Sequence, residues 1–269
     1  MYLFKHIDIN CDMGEWSSRG LDLGDPLAKE LKESDAAIMP HISSANIACG
    51  AHAGDAVSMA HTIRLAMQHG VAIGAHPGYP DPHGFGRRHV RITPDDLYAS
   101  LMAQIMEVKT MAERLGAEVR HVKPHGALYN EAAADEQLAR LVVQCVRETD
   151  QTMALFGLPG SALEKASHEG GIRFAKEAFA DRAYHSNGSL LPRTMPAAVL
   201  NHVEEMVART LTMITEGYVM AHDGNKLMIK ADTICVHGDN PVANEFVMHL
   251  TSTLTAAGMH IRPPGRRED

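Results

Sequence analysis

Ionisable side chains collect in short motifs, each of which directly follows an apolar, β-branched segment. The motifs occupy residues 8–15, 46–55, 74–77 with 85–88, 123–126, 179–182 with Arg193, and 237–239. Histidine titrates near neutral pH, so His52, His76, His125 and His237 could serve as acids, bases or metal ligands. The motifs therefore predict a site that transfers protons or binds a metal ion.

A metal site would need carboxylates beside the histidines. Asp12, His52 and Asp55 could form such a site, because borderline and hard cations accept both imidazole and carboxylate ligands. No compact spacing such as H-E-x-x-H supports it, so the sequence favours acid-base roles over metal binding.

Positive charge lies in or near the same motifs. Lys123 could stabilise an oxyanion. Arg87, Arg182 and Arg193 could hold a carboxylate or a phosphate, because the planar guanidinium group can donate two parallel hydrogen bonds to such anions. A nucleotide-binding loop of the G-x-x-x-x-G-K-[ST] type is absent from the sequence. Residues 157–161 could present free amides to an anion, although a plain tight turn is the favoured interpretation.

Several of these residues also have a purely structural interpretation. Asp8 could close a hydrogen-bonded layer inside a barrel, Asp55 could only cap the following helix, and Arg87 and Arg88 could simply be solvated. Taken together the residues favour function, because at least five strand ends would deliver ionisable groups to one rim.

The elements that must position these motifs alternate between strands and helices. Strands are expected near residues 6–11, 44–49, 71–75, 119–123, 153–156, 172–177 and 233–237, with an eighth strand left open. Thr93 and Pro94 predict the start of a helix that ends near Gly116. Further helices are expected over 54–69, 135–149, 201–216 and 241–257, and a turn at 223–225 indicates a hairpin.

This alternation predicts parallel strands joined by crossover helices, and the length of 269 residues is compatible with one α/β domain such as a (β/α) barrel, which typically needs about 250 residues. The barrel is expected over residues 1–262, and residues 263–269 are expected to form a flexible tail. Four cysteines without C-x-x-C spacing are expected to be reduced and mostly buried.

Composition excludes several classes of function. The net charge is −8, and no run of lysines and arginines is longer than the pairs Arg87–Arg88 and Arg266–Arg267, so nucleic acid is not an expected partner. The amino terminus lacks the layout of a signal peptide, and no apolar run approaches the ~20 residues that span a bilayer. A cytoplasmic protein without membrane contact is therefore expected.

The same motifs, in the same order, resemble the LamB/YcsF family, the A subunits of bacterial 5-oxoprolinases. The matching segments are residues 8–15, 44–55, 72–80 with 84–88, 121–130, 177–184 with 188–193, and 236–239. They extend across nearly the whole chain. The sequence departs from the family in a long segment between Glu15 and Ser44 and in Ala51, where an aromatic residue is common, so the choice of substrate stays open.

The resemblance implies a seven-stranded or distorted TIM-like barrel related to glycoside hydrolases and deacetylases. It also implies ATP-dependent hydrolysis of 5-oxoproline to L-glutamate with two partner subunits, of B and C type, and ATP as co-substrate. A divalent metal, either Mg²⁺ with ATP or a bound ion such as Zn²⁺, fits this chemistry. Oligomerisation is compatible with the sequence as well.

Under that reaction, Asp12 with His52 or His125 would handle protons, and Lys123 would stabilise the oxyanion. The expected substrate contacts are Asn46, His76, Arg87, Arg182, Arg193 and His237. Two rival functions remain open at this point. One is a stand-alone, metal-dependent deacetylase or amidohydrolase, and the other is a non-catalytic subunit that binds a lactam.

Overall fold

The computed structural model describes residues 6–17 and 26–265. Their strands are β1 (His6–Met13), β2 (Ser44–Ala48), β3 (Ala72–His76), β4 (Val119–Val122), β5 (Ala154–Gly157), β6 (Arg173–Phe179), β7 (Tyr218–Met220), β8 (Lys226–Met228), β9 (Thr233–His237) and β10 (His260–Ile261). Their α-helices are α1 (Pro26–Ile38), α2 (Ala56–His69), α3 (Pro94–Arg114), α4 (Gly126–Ala134), α5 (Glu136–Thr149), α6 (Ala162–Glu169), α7 (Val203–Thr215) and α8 (Ala243–Ala256).

Seven parallel strands form a closed barrel. Strands β1 to β6 pair in chain order, and β9 pairs with both β6 and β1. The short strand β10 adds to the start of β1, where His6 is opposite His260. The predicted (β/α) barrel is therefore confirmed, with seven strands, and the helices cover its outer face.

The turn predicted at residues 223–225 joins a hairpin outside the barrel. Strands β7 and β8 pair antiparallel on either side of it, with Met220 opposite Lys226. The four cysteines are buried and free of disulfide bonds, as predicted. Among the described residues, no helix combines the length and apolar character needed to cross a membrane.

The barrel strands show two chemically different faces. On β1, Ile7 and Ile9 join the hydrophobic core, whereas Asp8, Asn10 and Asp12 make hydrogen bonds to side chains of neighbouring strands. Alternation along a strand sends successive side chains to opposite faces, so the interior of the barrel is polar. The charged groups therefore lie inside the barrel, and the apolar core lies between the barrel and the surrounding helices.

Asp8 occupies the amino-terminal layer of this interior. Its carboxylate accepts hydrogen bonds from the hydroxyls of Ser43, Ser44 and Thr233. Burial raises the pKa of Asp8 to about 6, against the lowering effect of these hydroxyls. Asp8 thus closes a hydrogen-bonded layer, which is the structural role that its alternation with apolar neighbours allows.

The next layer depends on a glycine. A Cβ atom on Gly74 would lie 2.0 Å from Nε2 of His121, so only glycine leaves room for that imidazole inside the barrel. His121 donates from Nε2 to Oδ1 of Asn46 (2.8 Å) and stacks on Phe156. Asn46 in turn donates to Oδ1 of Asp12 (2.8 Å), which connects this layer to the carboxyl end of the barrel.

Some sequence-based expectations concern residues at the chain ends. Residues 263–265 are described, and Arg173 donates a hydrogen bond to the carbonyl oxygen of Gly265. The remainder of the predicted tail, with Arg266 and Arg267, lies outside the described residues, as do residues 1–5 and 18–25.

Candidate active site

A pocket of ≈ 810 Å³ lies at the carboxyl ends of the barrel strands. Most of the residues expected to form the site line it, together with Glu15 and Asp239: Asp12, His76, Arg87, Lys123, His125, Arg182, Arg193 and His237. Active sites of (β/α) barrels lie at this face because the loops after the strands converge there. The structure therefore brings together motifs that are far apart in sequence.

Lys123 lies at the bottom of the pocket and is 2% exposed. Its Nζ atom is 2.9 Å from Oδ1 of Asp12 and 2.9 Å from Oε1 of Glu177, and it also contacts Oδ1 of Asn10 and Sγ of Cys235. A buried ammonium placed between two carboxylates remains charged. Burial alone would lower the pKa of Lys123, but Asp12, Cys235 and Glu177 raise it well above its usual range.

Asp12 connects Lys123 to a histidine. Its Oδ1 atom accepts from Lys123, and its Oδ2 atom lies 3.2 Å from Nε2 of His76. Burial would raise the pKa of Asp12, but His76 and Lys123 together hold it well below its usual range. Asp12 is therefore an anion at neutral pH.

Three histidines form a cluster beside Asp12. His52 and His125 are stacked, with ring centroids 3.7 Å apart and an interplanar angle of 2°. His125 Nδ1 lies 2.9 Å from His76 Nε2, and the two rings are nearly perpendicular. Glu15 completes the cluster, because its Oε1 atom lies 3.3 Å from His52 Nε2 and 3.6 Å from His125 Nδ1.

Two groups of described residues have the composition and spacing of metal ligands. One is Glu15 with His52, His76 and His125, and the other is Asp12 with Cys235 and His237. Asp55 belongs to neither group. Its exposed carboxylate accepts from the backbone amides of Val57 and Ser58 and caps α2, which is the structural role that the sequence also allowed, so its role as a metal ligand stays a prediction.

His237 is held by a carboxylate on the far side of the pocket. Its Nδ1 atom lies 2.9 Å and 3.0 Å from the two carboxylate oxygens of Asp181, and its ring stacks on Phe179. Burial would raise the pKa of Asp181, but His237 and then Arg193 lower it. A carboxylate bound to Nδ1 fixes the imidazole tautomer and leaves Nε2 for proton transfer.

Three arginines surround the mouth of the pocket. Arg87 and Arg193 lie 2.7 Å and 3.7 Å from Oδ2 of Asp239. Arg182 donates to the carbonyl oxygen of Leu191, while its buried Nε has no hydrogen-bond partner. Burial, followed by the charge of Arg193, lowers the pKa of Arg182 to about 10. Two of these guanidinium groups thus lie close to a single carboxylate, Asp239, and groups of this kind suit a bound carboxylate or phosphate.

The remaining predicted residues support the pocket from behind. Asn46 and His52 are both 0% exposed, so neither reaches the pocket surface. Asn46 donates a hydrogen bond to Asp12, and His52 contacts the carboxylate of Glu15. At residues 157–161, Gly160 donates its amide to the carboxylate of Glu164 (2.7 Å), and Ser161 caps α6. That segment forms a turn along the pocket wall, and the amide of Gly160 is already used.

The sequence did not single out three acidic residues that the site contains. Glu15 and Asp181 stand in rim motifs that the sequence identified, but nothing distinguished them from their polar neighbours. Glu177 lies inside β6 with its side chain in the barrel. Because β6 also contains Arg173 and Lys176, the strand sequence alone did not distinguish Glu177 as the buried charge.

The whole chain is similar to known proteins. The LamB/YcsF family model matches residues 7–268. The A subunit of the 5-oxoprolinase of Symbiobacterium thermophilum is 46% identical over 97% of this chain and 96% of its own length. That of Geobacillus kaustophilus is 43% identical over 98% and 99%. The crystal structure of a lactam utilization protein from Thermus thermophilus matches with a TM-score of 0.85 and 39% identity, over 96% of this chain and 99% of that one.

Proposed function

This chain belongs to the LamB/YcsF family, and from that premise we propose that it is the A subunit of an ATP-dependent 5-oxoprolinase. The enzyme would hydrolyse the lactam of 5-oxoproline to L-glutamate and convert ATP to ADP and phosphate. The observation that carries the proposal is the pocket itself, which combines a buried, charged lysine with three arginines and a carboxylate-bound histidine.

The chemistry explains why ATP is required. An unstrained five-membered lactam is a poor electrophile because resonance stabilises its amide. Transfer of the terminal phosphoryl group to the lactam oxygen releases ADP and activates the ring carbon. Water then adds to that carbon, the C–N bond breaks as the nitrogen gains a proton, and a second water hydrolyses the resulting acyl phosphate to glutamate and phosphate.

The residues of the pocket suit these steps. Arg182, with its unpartnered Nε, and Arg193 would bind the substrate carboxylate, while Arg87 would bind the transferred phosphoryl group. Lys123 would stabilise the charge that develops on the lactam oxygen, since it remains protonated next to Asp12. His237, oriented by Asp181, would accept the proton of the attacking water.

The partners would be two further subunits, of the B and C type. The relatives carry the name of the A subunit, which implies an assembly of more than one chain. This chain contains no phosphate-binding loop of the P-loop type, so the partners would contribute to the use of ATP.

The test compares the chain alone with the chain plus its two partner subunits, supplied with 5-oxoproline and ATP. We expect glutamate and ADP in equal amounts only from the complete mixture. Arg182→Gln should raise KM for 5-oxoproline, whereas Arg140→Gln, on the exposed surface of α5, should match the parent enzyme. Absence of glutamate from a mixture shown to assemble would refute the proposal.

The His52, His76, His125 and Glu15 cluster favours one second candidate, a stand-alone metal-dependent amidohydrolase or deacetylase. Such an enzyme would cleave amides without ATP or partners and would lose activity to a chelator. If the complete mixture instead kept full activity with altered pocket residues, the chain would be a non-catalytic lactam-binding subunit.

A further inference from the structure

We propose that His76, His125, Glu15 and Asp12 bind one divalent metal ion at the carboxyl end of the barrel. The inference concerns metal binding by this chain and does not depend on the reaction proposed above. It rests on the protons that the surrounding backbone assigns to two of the histidines, and on the distances between the atoms that face one another.

The proton on His76 is fixed by a carbonyl group. Nδ1 of His76 lies 2.7 Å from the backbone carbonyl oxygen of Lys123. A carbonyl oxygen only accepts hydrogen bonds, so Nδ1 of His76 must carry a hydrogen. In the neutral imidazole, Nε2 of His76 therefore presents a lone pair.

The proton on His125 is fixed in the same way from the opposite side. Nε2 of His125 lies 2.8 Å from the backbone carbonyl oxygen of Phe85, so it carries the hydrogen and Nδ1 presents the lone pair. That Nδ1 lies only 2.9 Å from Nε2 of His76. Two lone pairs at hydrogen-bond distance repel each other unless a cation or a proton lies between them.

Carboxylate oxygens surround the same point. Oδ2 of Asp12 lies 3.2 Å from Nε2 of His76, and Oε1 of Glu15 lies 3.6 Å from Nδ1 of His125. The ligand atoms of Glu15, His76 and His125 all lie within 4.8 Å of one another, and Asp12 adjoins this group at Nε2 of His76.

The spacing fits a bound metal. With metal–nitrogen bonds of about 2.1 Å, neighbouring ligand atoms lie roughly 3.0–3.4 Å apart in octahedral or tetrahedral geometry. The measured separations of 2.9 Å, 3.2 Å and 3.6 Å bracket that range. These three neighbouring pairs therefore have the spacing of atoms that share one ion.

His52 supports this site without belonging to its ligands. Its ring is parallel to that of His125 and stacked on it, so the lone pairs of both rings cannot point in plane at one ion. His52 instead contacts Glu15 through Nε2, which positions that carboxylate. Gly86 (φ 61°) closes over both rings, because a Cβ there would lie 2.8 Å from Cβ of His52 and 2.9 Å from Cδ2 of His125.

Two imidazoles and two carboxylates suit a first-row divalent ion such as Zn²⁺ or Mn²⁺. The test uses the full chain, treated with chelator and dialysed, and measures Zn²⁺ binding by competition with a chromophoric chelator. One equivalent of Zn²⁺ is expected to bind. His125→Ala and His76→Ala should weaken binding by more than about 100-fold, and His52→Ala by about 10–100-fold, as for outer partners of metal ligands.

Two controls keep the result interpretable. His89→Ala removes a histidine at the exposed edge of the same pocket, and circular dichroism verifies that each variant is folded. The His89 variant should bind Zn²⁺ like the parent chain. Binding of neither Zn²⁺ nor Mn²⁺, or equal binding by parent and His125→Ala, would overturn the proposal.

A protonated His76 is the competing explanation of the short contact. Nitrogen NMR of the imidazole rings distinguishes the two cases. If zinc binds, the Nε2 resonance of His76 should shift when the ion is added. If both ring nitrogens of His76 stay protonated in zinc-free and zinc-containing samples alike, the cation is a proton and the metal site does not exist.

Discussion

Lys123 is the residue whose removal should have the largest effect on the molecule. Its ammonium compensates two buried carboxylates, Asp12 and Glu177, both at 2.9 Å. Lys123→Ala should therefore lower the free energy of unfolding by about 3–5 kcal/mol, because it leaves buried charge unpaired. Urea denaturation at pH 7 measures this loss, and it means that alanine at Lys123 tests stability as well as chemistry.

A second variant separates the two effects. Lys123→Ala combined with Glu177→Gln removes one of the unpaired charges and should recover part of the lost stability, whereas under the proposed function neither variant should restore turnover in the complete mixture. Equal stability of Lys123→Ala and the parent chain would show that the ion pairs contribute nothing.

Asp35 should make stability depend on pH. It is 6% exposed, accepts a hydrogen bond from the amide of Gly14, and burial raises its pKa from 3.8 to about 8. Since the pKa is raised on folding, the stabilising contribution is complete below pH ~4 and is lost as pH rises through 8. This shift in the pKa of Asp35 corresponds to a loss of at most about 5–6 kcal/mol in the free energy of unfolding when the carboxyl group ionises.

Asp35→Asn should remove that dependence. An amide oxygen at this position can still accept from Gly14 and cannot ionise, so the variant should melt at a higher temperature than the parent chain at pH 8–9 and less so at pH 5. Asp95→Asn, at the exposed start of α3, serves as the matched control. Parallel melting profiles for the parent chain and Asp35→Asn across this range would contradict the assignment.

Residue types and strand-end positions located the pocket, but they did not assign partners. Asp12 and Lys123 were recognised from sequence, whereas their partner Glu177 was not, since nothing in a single strand shows which side chain lies across the barrel. Asp55 illustrates a different ambiguity. A polar residue that follows a strand can either contribute to a site or cap the next helix. The side chain of Asp55 caps α2.

At the level of elements, the capping role of Asp55 can be measured directly. Asp55 accepts from the amide of Ser58, and the hydroxyl of Ser58 accepts from the amide of Asp55. Asp55→Ala should therefore lower the free energy of unfolding by about 1 kcal/mol and leave Zn²⁺ binding unchanged. Chemical denaturation and metal titration of the same preparation check both parts, and a loss of metal affinity would return Asp55 to the site.

All seven barrel strands were predicted from sequence, because buried β-branched segments between helices leave few alternatives. Helices α1, α4 and α6 were not among the helices predicted from sequence. Of α1, only Ala28, Asp35 and Ile38 are buried, so it has no continuous apolar stripe. Helices α4 and α6 have nine and eight residues, too few turns for a periodic pattern, and α4 begins directly after the His125 motif.

For the whole molecule, the proposed metal should act as a stabilising ligand. An ion held by β1, β3 and the segment after β4 binds the folded chain and not the unfolded one. At about 100 times its dissociation constant, it should add ~2.7 kcal/mol and raise the melting temperature by about 5–10 °C. Scanning fluorimetry with and without Zn²⁺ tests this, and His125→Ala should show no rise.

Closure of the barrel has a consequence for synthesis of the protein. The hydrogen bond from Thr233 to Asp8 joins residues 225 positions apart, and β9 is the strand that completes the ring. At translation speeds of about 5–20 residues per second, β1 waits roughly 10–45 s for that partner. Until then the nascent chain carries an open sheet edge and an incomplete polar interior, so the pocket at the carboxyl ends of the strands can form only after nearly the whole barrel has been synthesised.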